Sequence, residues 1–139
     1  MSIHEEIQTL VDELSVFFDV MDKYEYIIEL GKSLGGLEER YKTEIYRVQG
    51  CQSKVWLHAY KKDNIIYFEA DSDALIVKGL VQILIRIYTQ RSAEEILNTD
   101  TSELKALGLG EIISSGRQNG IASMLKRIYS FAKEVQNGK

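Results

Sequence analysis

The sequence predicts a two-layer α+β domain in which a small three-stranded antiparallel sheet packs against helices. Apolar residues recur at helical spacing near both ends of the chain, whereas residues 54–60 alternate between apolar and polar side chains, as a half-buried strand does. Apolar residues make up 45% of the 139 residues, and no proline-rich or serine-rich linker interrupts them. We therefore expect one domain spanning residues 1–139.

Two helices are predicted before the sheet. Ser2 followed by Glu5 has the spacing of a capping box, and Asp22 followed by Glu25 repeats that spacing. Gly35-Gly36 is expected to end the second helix. The apolar stripe of the first helix comprises Ile3, Ile7, Leu10, Val11, Leu14, Phe17 and Phe18. Both helices should bury one face and leave their acidic residues exposed.

Three adjacent extended runs predict the sheet. Thr43–Val48 is the first, Lys54–Tyr60 alternates with period two, and Ile65–Ala70 follows a turn at Lys62-Asp63-Asn64. Between the first two runs lies Gln49–Ser53, whose glycine and small polar residues are typical of a loop. The only cysteine of the chain is therefore predicted to be displayed between two strands.

Helices are expected again after the sheet. Asp71-Ser72-Asp73 has the composition of an N-terminal cap for a helix beginning near Ala74, because its side-chain oxygens can accept from free amides. Ser92 with Glu95 predicts a short helix, and Ile121 to Val135 has the apolar spacing of a long last helix that frays at 137–139. The helix after Ala74 is apolar on most sides, so we place it against the inner face of the sheet. Its single polar stripe consists of Lys78, Gln82 and Arg86.

Composition argues against several classes of protein. The net charge of −4, the pI near 5.3 and the absence of a dense basic stripe argue against a nucleic-acid partner. One cysteine cannot form a disulfide within the chain, and the acidic start Ser2–Glu6 lacks the character of a signal peptide. Ala74–Tyr88 is apolar but too short to cross a bilayer. We expect a protein of the reducing cytoplasm.

Cys51 is the strongest candidate for chemistry. Free cysteines are often buried structural residues, but this one stands beside a glycine in a predicted loop. Arg47 and Lys54 are near enough in sequence to favour its thiolate. His58 and His4 are interpreted as structural or solvated residues, so a Cys/His hydrolase is poorly supported. No ligand spacing for a metal ion is apparent.

The polar stretch Ser114–Gly120 leaves two interpretations open. It can be the capped start of the last helix with an exposed arginine. Alternatively, Arg117 on a glycine-rich turn can face the cysteine loop and support a thiolate or a bound anion.

Several segments together resemble one family. Val48–Leu57 resembles the active-site segment of the SufE-type sulfur acceptors, whose motif is V-x-G-C-x-S-x-V-W. Asp71–Ala74, Lys78-Gly79-Leu80 and Arg117-x-Asn119-Gly120 agree with the family pattern in order and spacing, and Leu30-Gly31 in the second helix is similar too. The likeness extends over about residues 10 to 135.

Two departures from the family pattern stand out. Family members usually carry proline after the second helix, where this chain has Gly35–Glu38, and Gly116 stands where serine is common. The first departure concerns the shape of a loop, and the second concerns the geometry around Arg117.

The resemblance implies a sulfur relay for iron–sulfur cluster assembly. Cys51 would accept sulfane sulfur as a persulfide from a PLP-dependent cysteine desulfurase and pass it to a downstream Fe–S scaffold. The family fold also resembles that of the scaffold proteins, but this chain lacks their several cluster ligands. No cofactor or metal of its own is implied, and the protein would be a monomer or weak homodimer. The residues expected to form or support the cysteine loop are Gly50, Ser53, Trp56, Asp73, Arg117 and Asn119.

Alternatives from other classes remain open. A regulatory binding module of the desulfurase would not need Cys51, and a thiol-based redox protein would need an exposed cysteine of low pKa. A structural cysteine would be inert until the protein unfolds. A persulfide carrier can also shelter its sulfur in an apolar pocket and expose it only on docking.

Overall fold

The computed structural model describes residues 1–138, in which helices precede and follow a three-stranded antiparallel sheet. The α-helices are α1 (Ile3–Ser15), α2 (Val20–Gly31), α3 (Leu75–Tyr88), α4 (Ala93–Leu97) and α5 (Ser115–Gln136). The strands are β1 (Val55–Lys62), β2 (Ile65–Ser72) and β3 (Arg91–Ser92). Short 3-10 helices cover Glu39–Tyr41, Thr101–Leu107 and Leu109–Glu111. The predicted α+β class is confirmed, and the C-terminal Lys139 of the predicted frayed end lies outside the described residues.

The sheet is built on one hairpin with a short third strand. β1 and β2 pair antiparallel from Val55 opposite Ser72 to Lys62 opposite Ile65. Asp63 and Asn64 both have positive φ, which is the conformation of a two-residue hairpin turn. β3 pairs with the other edge of β2, so β2 is the central strand. The side chains of β1 and β2 that face the helices form one wall of the core.

The predicted strand at 43–48 is wrong. This segment forms turns, and it touches β1 through a single bridge between Arg47 and Trp56. Ile45 is 81% exposed and Val48 is 2% exposed, so the segment passes from solvent into the core as it wraps over the sheet edge. The third strand is instead β3, which has only two residues.

Both N-terminal helices are present, with different bounds from those predicted. The capping box of α1 is confirmed, because Ser2 Oγ accepts from the Glu5 amide and the Glu5 carboxylate accepts from the Ser2 amide. α1 ends at Ser15, before the end of the predicted stripe. α2 begins one turn earlier than predicted, since the Asp19 side chain accepts from the Met21 amide. It ends at Gly31, well before the predicted glycine pair.

The side chains of the corner before α3 bond to the start of β1 and to two lysines. Asp73 accepts from the Lys54 amide at 3.1 Å, and the Ser72 hydroxyl donates to the Lys54 carbonyl at 2.8 Å. Asp71 pairs with Lys42 at 3.1 Å and with Lys78 at 3.7 Å. Ala74 is the N-cap residue of α3, and no side-chain hydrogen bond caps the helix there, so the prediction that the aspartates cap α3 is wrong.

α3 is the central helix of the core, as predicted. One face of α3 packs closely on α2, and another face contacts α5. Arg86 in the predicted polar stripe binds Glu6 at 2.9 Å and Glu13 at 2.7 Å, which ties α1 to α3. Glu13 also accepts from the Tyr26 hydroxyl on α2, so three helices meet at this ion pair.

The stretch 114–120 is the first part of α5. Ser114 is its N-cap and accepts from the Arg117 amide at 3.3 Å, and Gly116 and Gly120 lie in the first two turns. The first of the two sequence interpretations, a capped start of the last helix, is therefore confirmed, and Arg117 does not lie on a glycine-rich turn. Because the two glycines lack side chains, another part of the chain can approach the helix backbone on the face where they lie.

Candidate functional site

The loop that carries Cys51 turns sharply at Gly50. This residue has φ of +91°, a conformation that L side chains rarely adopt. A Cβ at Gly50 would also lie 2.5 Å from Ser123 Oγ on α5. Glycine is therefore required here both by backbone conformation and by the close approach of α5.

The loop lies directly on the glycine face of α5. A Cβ at Gly120 would come within 3.4 Å of Cys51 Sγ, and a Cβ at Gly116 within 2.4 Å of the Gln52 side-chain nitrogen. Gly116, the departure from the family pattern, thus provides the space in which Gln52 rests. Because the two glycines are four residues apart, they share one side of the helix.

Cys51 borders a small apolar cavity of about 30 Å³ between the loop, α3 and α5. The thiol is half-buried, so it is sheltered beside the cavity and not openly displayed on the loop. Arg117 and Ser53 stand at the polar side of this cavity. Its apolar walls are Val77, Leu80, Val81 and Leu84 of α3 with Ile121 and Met124 of α5.

The surroundings favour the protonated thiol. Burial raises the pKa of Cys51 above the ordinary value for a thiol, and the charge of Arg47 offsets only part of this effect. The thiol also donates to the carbonyl oxygen of Gly120, with Sγ 3.7 Å away. Arg47 acts on the pKa in the predicted direction, but burial outweighs it.

Arg117 reaches the cysteine loop. Its Nη1 donates to Ser53 Oγ at 3.3 Å, which joins the start of α5 to the residue two positions after Cys51. Ser53 is one of the residues expected to support the loop, and its hydroxyl accepts from this guanidinium. Arg117 thus lies on the capped helix start of one sequence interpretation and contacts the cysteine loop as in the other.

Three other predicted site residues do not line the cavity. Asp73 makes no hydrogen bond to Cys51 but accepts from the amide of Lys54, which directly follows the cysteine loop. Trp56 lies on the opposite side of β1 from Val55, and it is Val55 that reaches the cavity. Asn119 is exposed on α5.

Sequence reasoning missed the apolar walls of the site. Val77, Leu80, Val81 and Leu84 were treated only as core residues, although their spacing places them on one helical face. The spacing of Gly116 and Gly120 was an available signal that a chain segment crosses α5.

The histidines are remote from the sulfur. His58 lies on the outer side of β1, where it stacks on Tyr41 with ring centroids 3.9 Å apart and bonds Glu69 at 3.1 Å. His4 is exposed and pairs with Glu103 at 2.7 Å. Within residues 1–138 no three His, Cys, Asp or Glu side chains are grouped to hold a metal ion. No described helix has the length and apolar character needed to span a bilayer.

Comparisons with known proteins agree with this geometry. The family model described as "SufE: Fe-S metabolism associated domain" matches residues 8–132. Over 132 residues, 91% of this chain, identity is 42% with a SufE-like protein of Rhizobium etli and 39% with one of Rhizobium meliloti, covering 89% and 94% of those proteins. "SufE-like protein 1, chloroplastic/mitochondrial" of Arabidopsis thaliana is 35% identical over 138 residues, which are 95% of this chain and 37% of that protein. The solution structure of a hypothetical protein from Thermus thermophilus has the same fold, with a TM-score of 0.78, 16% identity and coverage of 95% and 96%. The half-buried cysteine and the turn at Gly50 lie inside the region that the family model matches. The chain therefore belongs to the SufE family, which is associated with Fe–S metabolism.

Proposed function

We propose that this protein accepts sulfane sulfur as a persulfide on Cys51 from a PLP-dependent cysteine desulfurase and passes it to an Fe–S scaffold. The observation that carries the proposal is the setting of the only cysteine, on a sharply turned loop at the mouth of an apolar cavity. Family membership supports a role in iron–sulfur metabolism. We place the exchange in the cytoplasm and assign it to a monomer or weak homodimer.

The transfer is a thiol–persulfide exchange. The Cys51 thiolate attacks the outer sulfur of the persulfide on the desulfurase, forming a new S–S bond at Cys51 Sγ. The S–S bond on the desulfurase breaks, and its cysteine leaves as a thiolate that takes up the proton released from Cys51. Oxidation state is conserved over the pair, so no external oxidant or reductant is needed. The same exchange, with the scaffold thiolate as attacker, returns Cys51 to its thiol.

Before it binds the desulfurase, the protein holds the Cys51 thiol in a poorly reactive state. The raised pKa and the bond to the Gly120 carbonyl both favour the thiol, whereas the attacking species is the thiolate. Docking on the desulfurase must therefore lift Cys51 away from Gly120. The turn at Gly50 gives the loop a pivot for this movement.

Supporting roles follow from the contacts around the loop. Arg117 holds the closed loop through Ser53, and Asp73 fixes the start of β1 through the Lys54 amide. We assign Trp56 and Asn119 to the docking surface around the loop, because neither lines the cavity.

Replacement of Cys51 tests the relay. Cys51→Ser should leave the fold intact and abolish stimulation of the desulfurase, measured as alanine release from cysteine. Incubation of the wild-type protein with desulfurase and cysteine should add one sulfur atom to Cys51 by mass spectrometry. Full stimulation by Cys51→Ser would contradict the relay and favour a regulatory binding module. Peroxide consumption by the purified protein would instead favour a redox role.

A further inference from the structure

The connection between α1 and α2 displays an unusual apolar surface. Four large apolar side chains within six residues are exposed: Val16 by 71%, Phe18 by 98%, Val20 by 45% and Met21 by 62%. We call this surface the 16–21 tip. Single exposed apolar residues need no explanation, but a contiguous set on a soluble domain is typical of an interaction site.

Carboxylates surround the tip on the side of α2. Asp19, Asp22 and Glu25 are exposed, and within residues 1–138 no basic side chain lies within 4.0 Å of their carboxylates. Residues 16–29 contain four carboxylates and one lysine, although the whole chain has a net charge of only −4. The tip is therefore apolar at its centre and strongly acidic at its border.

A shallow groove continues the tip along α2. The rings of Phe17 and Tyr26, with centroids 5.1 Å apart, form its apolar part, and Asp22, Glu25 and Glu29 form its acidic part. These α2 residues follow helical spacing, so they make one continuous face. Aromatic faces beside carboxylates favour Lys or Arg side chains.

The tip is separate from the sulfur site. α2 packs on α3 at Gly79, whereas the cavity is lined by Val77, Leu80 and Leu84, which lie on the other side of that helix at 100° per residue. Val20 stands about 16 Å along α2 from Gly31, the residue that contacts Gly79. A protein bound at the tip can therefore leave the cysteine loop free.

We propose that the 16–21 tip docks a basic amphipathic helix of a partner protein. The apolar face of such a helix covers Phe18, and the Lys or Arg side chains along its border meet Asp22 and Glu25. A second copy of this chain is a poor occupant, because two acidic borders would face each other. The same charge repels an anionic lipid surface. This inference stands apart from the proposed sulfur transfer.

A synthetic amphipathic helix of leucine and lysine is the probe that tests this surface. Isothermal titration should detect binding that weakens with salt, and amide shifts of an isotope-labelled sample should change over residues 16–29. Phe18→Ser should weaken binding about tenfold or more, because an exposed aromatic anchor dominates such contacts. Glu25→Lys should also weaken it. Because Phe18 is 98% exposed, its replacement should not alter thermal stability.

Matched controls decide the outcome. Ile45→Ser removes a comparably exposed apolar residue away from the tip and should leave binding unchanged. Equal binding by Phe18→Ser, or shifts centred elsewhere, would overturn the proposal. So would Phe18-dependent binding to phosphatidylglycerol vesicles or Phe18-dependent dimerisation. Phe18→Ser should retain desulfurase stimulation, and a loss of stimulation would show that the tip belongs to the sulfur-accepting interface.

Discussion

Replacing Gly79 by alanine should destabilise the whole domain. A Cβ at Gly79 would lie 1.9 Å from the Ile27 carbonyl oxygen and 2.6 Å from the Ile27 Cγ2 atom. The reverse contact is also too close, because a Cβ at Gly31 would lie 2.7 Å from the Gly79 amide nitrogen. The obstacle is backbone in both directions, so no side-chain rotation can relieve it.

The size of the effect follows from two opposing contributions. α2 and α3 must separate by about 1.5 Å to restore ordinary contact between carbon and oxygen, and overpacking of this kind costs about 3 kcal/mol. Alanine in place of a helical glycine returns about 1 kcal/mol. We therefore expect the free energy of unfolding to fall by about 2 kcal/mol.

Urea unfolding monitored by circular dichroism measures this loss. Gly35→Ala is the matched control, because a Cβ there meets nothing within 4 Å and the change should stay within about 0.5 kcal/mol. An unfolding midpoint for Gly79→Ala equal to that of the wild type would refute the close helix contact on which the estimate rests.

Three further predictions concern the loop and the ion pair. Arg117→Ala and Ser53→Ala should each raise the rate of Cys51 alkylation about fivefold, because each removes the hydrogen bond between these two residues. The double variant should react little faster than either single variant, since the same bond is lost in all three. Additive effects in the double variant would contradict the contact. Because burial raises the pKa of Cys51, its alkylation should require higher pH in the folded protein than in urea, and coincident pH profiles would disprove this shift. Arg86 lowers the pKa of Glu13 in the folded protein. The stability that this ion pair adds is therefore fully present above the ordinary glutamate pKa of about 4.3, and it is lost as the pH falls through the lowered pKa. Glu13→Gln should flatten that part of the stability profile in urea titrations at different pH, and an unchanged slope would argue against the pair.

Local signals in the sequence predicted the local structure well. The capping residues Ser2 and Ser92 were identified correctly, because each cap requires only a short spacing to Glu5 or Glu95. The α+β class and two of the three predicted strands, which correspond to β1 and β2, were also correct. These features depend on periodicity and capping within a few residues.

Features that depend on distant contacts were missed. Thr43–Val48 resembles an extended run, but the chain wraps over the outer side of β1, where Tyr46 meets the His58 ring edge-on. Local composition alone cannot distinguish such wrapping from strand pairing. β3 is too short to produce any periodic signal. The cavity beside Cys51 likewise depends on the packing of α3 against α5, which no single segment encodes.

The contact between Cys51 and Gly120 has a consequence for the newly made protein. The two residues are 69 positions apart, so the cysteine emerges during synthesis well before the helix that covers it. At about 5 to 20 residues per second, the thiol is uncovered for about 3 to 14 s before α5 can dock. During that interval it has neither the cavity nor the raised pKa that protect it in the finished domain. Oxidative stress should therefore damage nascent chains at Cys51 more readily than mature ones.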